Sequence, residues 1–177
     1  MVGMKRYLTA LFLLVVLVLP AQSQAYVSTQ KTAIRLNDHT FLYFISYEFG
    51  HKKLDYRMPI TAVRGSGVGD KALGYDIMIG TSTLRTNVGK TKAVVLSKAK
   101  VENGMYVIPK GTKQKFTFVT TFGIPEGYTA SSTDFAVHVN SLPFEIGKDG
   151  VFTHGQLSAA ELAPYKTMPV GVVRSTK

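Results

Sequence analysis

The stretch that decides the fold is MYVIPKGTKQKFTFVTTF, residues 105–122. Phe116, Phe118, Thr120 and Phe122 fall on one side of it, and Lys115, Thr117, Val119 and Thr121 on the other. That alternation has period two, the mark of a strand with one buried face. Pro109 presets φ for the second position of a turn, and Gly111 suits the exit, where a Cβ would clash. The expectation is a hairpin of two alternating segments, with Tyr106, Ile108, Phe116, Phe118 and Phe122 as the centre of the core.

Outward from this stretch, the chain repeats the same pattern. Phe41, Tyr43, Ile45, Tyr47 and Phe49 make a continuous apolar face. Leu42 and Phe44 make the opposite face apolar at one end, which predicts a central strand. Residues 31–36, 75–79, 93–101 and 135–139 alternate in the same way. Residues 55–64 read as one strand, in which Pro59 cannot donate to a ladder, so an edge or a bulged strand is expected. Asn103-Gly104 tolerates positive φ and predicts a tight turn. Ser158 and Glu161 form a capping box ahead of Pro164, predicting a single helical turn. With about seven to nine antiparallel strands and turns every 8–12 residues or so, the chain is expected to be all-β, an immunoglobulin-like β-sandwich.

The run Tyr106-Val-Ile-Pro-Lys-Gly followed by Phe116-Thr-Phe resembles the late hairpin of immunoglobulin-like domains in exported bacterial proteins. The resemblance is confined to this stretch and carries no functional residues with it. The cysteine pair and tryptophan of antibody domains are missing, since the chain has neither residue type.

The N-terminus reads as an address. Lys5 and Arg6 precede an apolar run at residues 8–19, and Pro20 and Ser23-Gln24-Ala25 follow. These are the three regions of a secretory signal peptide, and the run is shorter than the about 20 residues that a spanning helix needs. Cleavage after Ala25 would leave residues 26–177 as a single domain, with no later membrane span, in a periplasmic, cell-surface or secreted location. Zero cysteines exclude a disulfide-stapled scaffold.

Charge is the strongest compositional signal. The chain carries 21 basic and 11 acidic residues, a net charge of +10. A field of that sign favours anionic partners. Scattered lysines also keep a β-rich protein soluble and guard its edges.

Catalytic and cofactor motifs are incomplete. Gly89-Lys90-Thr91 resembles the end of a phosphate-binding loop, but Leu84 stands where that pattern needs glycine. His39, His51, His138 and His154 show no chelating spacing. Ser66 lacks the glycines of a nucleophile elbow. Glu48, Asp55, Asp70, Asp76 and Glu145 are scattered singly rather than paired. Asp149-Gly150 lacks the further ligands of a calcium loop. Tyr128 is the best exposed candidate for sugar stacking. No cofactor, metal or specific nucleic acid is expected.

Sandwiches present function on loops. The glycine-rich loop at residues 65–74 and the polar segment at residues 80–92 therefore become the candidate binding region. Arg64, Lys71, Arg85, Lys90 and Lys92 would contact an anionic envelope polymer or another envelope protein. Two alternatives stand beside this non-enzymatic binding module. One is a self-assembling surface subunit that exchanges an edge strand, either the Pro59 strand or the tail at residues 170–173. The other is a small secreted hydrolase whose site assembles from distant residues.

Overall fold

A computed structural model describes residues 30–65, 71–125 and 134–171. The expected signal peptide, Ser66, Asp70 and Tyr128 lie outside the described residues. The chain is all-β with one helical turn. In order, it forms β1 (Gln30–Asn37), β2 (Thr40–Gly50), β3 (Asp55–Pro59), β4 (Ala62–Arg64), β5 (Leu73–Ile79), β6 (Ser82–Thr83) and β7 (Lys90–Ser97). Then follow β8 (Lys100–Glu102), β9 (Met105–Ile108), β10 (Lys113–Gly123), β11 (Asp134–Ser141), β12 (Pro143–Lys148), β13 (Val151–Gln156), α1 (Ala159–Leu162) and β14 (Val170–Gly171). The strand segments outnumber the expected seven to nine because several are only two or three residues long and residues 55–64 divide in two.

The sandwich has one continuous layer and one divided layer. Sheet A, in the order β1-β2-β10-β7, is the continuous layer. Sheet B has the order β13-β12-β3-β9-β8, and sheet C the order β14-β11-β5-β4, with β6 also paired to β5. Rings from sheet A pack on both. Phe122 meets Phe135 of sheet C at 5.1 Å and Phe118 meets Tyr75 at 5.0 Å, while Phe49 meets Tyr56 of sheet B at 5.0 Å and Phe116 meets Tyr106 at 5.6 Å. Such tilted and edge-to-face pairs add to the area they bury.

The expected inner face of β10 is correct: Phe116, Phe118, Thr120 and Phe122 are fully buried. Thr120 is a polar residue in this core, and its hydroxyl donates to the Lys92 carbonyl at 3.1 Å. That bond satisfies a group that would otherwise be costly to bury. β2 is central, as its two-sided apolar end predicts.

Three expectations about pairing fail. First, residues 105–122 are not a hairpin. β9 pairs with β3 and β8, whereas β10 pairs with β2 and β7. The Pro109–Thr112 turn is real, with Thr112 N donating to the Pro109 carbonyl at 3.2 Å and Gly111 at φ 80°. It is a corner between layers, because the apolar faces on both sides of it are buried from opposite sheets.

Second, the Pro59 strand is not an edge, so it cannot be the exchangeable one. β3 lies between β12 and β9. Pro59 ends it, and the chain crosses from sheet B to sheet C at residues 60–61 to begin β4. The reverse crossing occurs at Leu142-Pro143, where β11 of sheet C hands over to β12 of sheet B. Both prolines sit where a ladder hydrogen bond must lapse for the chain to change sheets. β4 also pairs with β5 in parallel, against the antiparallel expectation.

The predicted tight turn and helix form as expected. Asn103 and Gly104 adopt φ 50° and 75° between β8 and β9. Ser158 caps α1, with its N–H donating to the Glu161 carboxylate at 2.8 Å and its Oγ accepting from Glu161 N at 3.3 Å.

Candidate functional site

The five cations singled out from sequence do not form one surface. Arg64 ends β4 and turns its guanidinium under the loop at residues 84–89. Nη1 donates to the Val88 carbonyl at 2.7 Å, and Nη2 donates to those of Arg85 at 2.9 Å and Leu84 at 3.2 Å. The same group lies 5.6 Å from the centre of the Phe122 ring. Burial lowers its pKa, against the opposing pull of Tyr75 and Asp76. Arg64 is thus a clamp on the loop, with both terminal nitrogens committed to carbonyls and Nε buried without a partner.

Arg85 rides on that loop and is exposed. Lys90 and Lys92 are exposed on the outer face of β7, opposite Gly123 and Thr121 of β10. A shallow cleft of about 370 Å³ beside them is lined by Asn87, Gly89, Lys90, Gly123, Ile124 and Pro125. Lys71 stands apart at the start of β5, where its carbonyl accepts from Thr61 Oγ1 at 3.2 Å. The phosphate-loop resemblance is also resolved: Gly89-Lys90-Thr91 opens a strand rather than a helix, so its amides do not converge on a phosphate.

A second basic site went unnoticed in the sequence. At the far end of β10, a cleft of about 620 Å³ is lined by Gly50, His51, Lys52, Lys53, Gly111, Thr112 and Lys113. It exists because the end of β2 meets the corner between β9 and β10. Gly50 faces Lys113 across the ladder, and a Cβ on Gly50 would collide with the Thr112 carbonyl oxygen. Gly111 N donates to the His51 carbonyl at 2.8 Å, tying the corner to the β2 exit. Lys53 N donates to His51 Nδ1 at 3.1 Å, so neutral His51 carries its proton on Nε2. Among the described residues, no carboxylate lines this cleft. Two acids hold Lys110 at the adjoining corner: Asp55 Oδ1 accepts from Lys110 N at 2.8 Å, and Asp149 lies 3.8 Å from Lys110 Nζ. The available signal was Lys52-Lys53, an adjacent pair of cations, but its proximity to Lys113 depends on pairing across more than sixty residues.

The other titratable candidates serve the framework. Glu145 lies opposite Arg57, 3.4 Å from its Nη1, and 3.9 Å from His154 Nδ1. His138 faces Asp76 across β11 and β5, and Asn140 Nδ2 donates to the Asp76 carboxylate at 2.7 Å. Asp149-Gly150 is the tight turn between β12 and β13, with both residues at positive φ. Among the described residues, no group of three or more histidine and carboxylate side chains could hold a metal ion, and no helix is long and apolar enough to cross a membrane. No family model matches the chain, and no curated protein matches it.

Proposed function

We propose that this protein is an exported, non-enzymatic binding module that holds an anionic envelope polymer in the cleft at the end of β2. The observation that carries this reading is the lining of that cleft. Three lysines and a histidine surround about 620 Å³ with no carboxylate among them. Lysine is a compact charge suited to repeated phosphate or carboxylate groups. Cleavage after Ala25 removes Lys5 and Arg6 and no acid, so the net charge of +10 becomes +8, which still draws such a chain in from a distance. Lys90 and Lys92 lie at the opposite end of β10 from this cleft, Lys71 stands apart, and Arg64 holds the loop that carries Arg85, so these cations add to the overall positive field rather than to the cleft itself. Export rests on the signal-peptide pattern that ends at Ala25.

Retention on immobilised polyglycerol phosphate tests the binding, with neutral dextran as control. The parent is expected to bind and to elute with salt, because exposed charges are screened. Lys52→Ser with Lys53→Ser should weaken retention and flatten its salt dependence, and unchanged retention overturns the reading. N-terminal sequencing of the protein from fractionated cells tests export. A start at Tyr26 supports it, and an intact N-terminus in the cytoplasm refutes it.

A further inference from the structure

The outer face of sheet A is apolar in the middle and basic at both ends. By cross-strand register Ile34 lies beside Leu42, and Phe44, Val119 and Val94 form a row across three strands, with Leu96 one pleat further along β7. Ile34 is 41%, Val94 42% and Leu96 50% exposed. Leu42, Phe44 and Val119 are half-buried. A contiguous aliphatic and aromatic patch of this kind on a sheet face marks a contact surface, whereas single exposed apolar residues do not. Lys90 and Lys92 project from the same face at one end, and Lys115 at the other. Among the described residues of these strands, Glu48, opposite Lys115, is the carboxylate on the face.

We propose that this face rests on the surface of an anionic lipid bilayer, with its aliphatic centre in the headgroup boundary and its lysines on lipid phosphates. The charge pattern selects this occupant. A second copy packed face to face would set lysine ends against lysine ends, with one glutamate per chain to offset them. A soluble polyanion would satisfy the lysines and leave Val94 and Leu96 in water. A bilayer satisfies both, since apolar burial and basic residues act together at an anionic surface. This goes beyond the polymer reading, whose cleft is lined by Lys52, Lys53 and Lys113, and the aliphatic residues Val94 and Leu96 belong to the bilayer proposal alone.

Co-sedimentation with phosphatidylcholine vesicles, with and without phosphatidylglycerol, tests the proposal. Binding is expected only with phosphatidylglycerol. Val94→Thr with Leu96→Thr keeps good strand formers and should lower binding about tenfold or more. Lys90→Ser with Lys92→Ser should lower it about 20–30-fold, at about fivefold per lysine. Free glycerol phosphate should not displace the protein. Parent and variants share one N-terminus, so insertion of residues 8–19 would contribute equally to all. Unchanged binding of the Val94/Leu96 variant overturns the proposal, as does displacement by glycerol phosphate. A dimer in sedimentation equilibrium that Leu96→Thr dissolves would assign the face to a second copy instead. Failure of the polymer reading would show in the Lys52/Lys53 variant on polyglycerol phosphate and leave the Val94/Leu96 result standing.

Discussion

Replacing Arg64 with methionine removes the clamp on the loop at residues 84–89 while keeping most of the apolar stem. Three carbonyls, those of Val88, Arg85 and Leu84, lose donors now at 2.7–3.2 Å. Hydrogen bonds to a charged group are worth about 1.5–3 kcal/mol each when no water replaces them. Arg85 is exposed and Val88 half-buried, so their freed carbonyls gain water, whereas Leu84 is buried and its carbonyl recovers less. Methionine also relieves the desolvation that lowers the Arg64 pKa. The net expectation is a loss of about 2 kcal/mol. In urea this moves the midpoint down by about 1 M, for a slope of about 2 kcal/mol per M. Far-ultraviolet circular dichroism reads the transition without needing tryptophan. Amide exchange localises it, through the Leu84 N–H bonded to the Ile77 carbonyl at 2.7 Å and the Val88 N–H bonded to that of Arg85 at 3.0 Å. Arg64→Lys should rescue less than half, because one ammonium cannot span the fork of carbonyls. A midpoint within about 0.2 M of the parent, with unchanged exchange at Leu84 and Val88, would refute the clamp.

Two further outcomes follow from the framework. Gly89 has φ 74°, and an added Cβ would strike the Phe122 ring and lie 2.6 Å from the Gly123 carbonyl oxygen. Gly89→Ala should therefore cost about 2 kcal/mol or more, against about 1 for Gly80→Ala, which has positive φ in open space. Equal thermal shifts in the two variants would remove the steric argument. Burial and the Lys166 charge lower the His138 pKa, against the opposing Asp76 carboxylate. The unfolded chain then binds more protons than the folded one, so His138 contributes stability above the ordinary histidine pKa. That contribution is lost as pH falls through about 6.5 toward the folded value. Urea midpoints between pH 8 and 5 (about the histidine range) should fall more steeply for the parent than for His138→Gln, and parallel curves would discount the linkage.

The sequence was most legible where one strand carries one period. Phe116, Phe118 and Phe122, and the aromatic stripe of β2, occupy the faces that their alternation predicts. So do the Asn103-Gly104 turn and the Ser158 cap, since each depends on residues within four positions. Layer membership was not legible. A two-stranded hairpin and a corner between two sheets place the same Pro-x-Gly between the same alternating runs. What distinguishes them is which strands offer the better partners, and β2 presents an eleven-residue ladder to β10. The cleft at His51, Lys52, Lys53 and Lys113 was hidden for the same reason. Arg64 was misread because a cation beside a glycine-rich loop looks exposed until the carbonyls around it are placed.

The corner at residues 109–112 also orders events in time. β10 is the strand that completes sheet A, and its pairs with β2 lie from 63 residues apart (Gly50 and Lys113) to 83 (Thr40 and Gly123). Pairing over such separations forms slowly, and no short hairpin at residues 105–122 can seed it. During synthesis at about 5–20 residues per second, β2 waits roughly 3–15 s for its partner to emerge. Through that interval Phe41 lacks its stacking partner Phe122, and Tyr47 its partner Phe116. A chain built this way leaves sheet A incomplete until about two-thirds of it has been made, a delay that the export we propose would require.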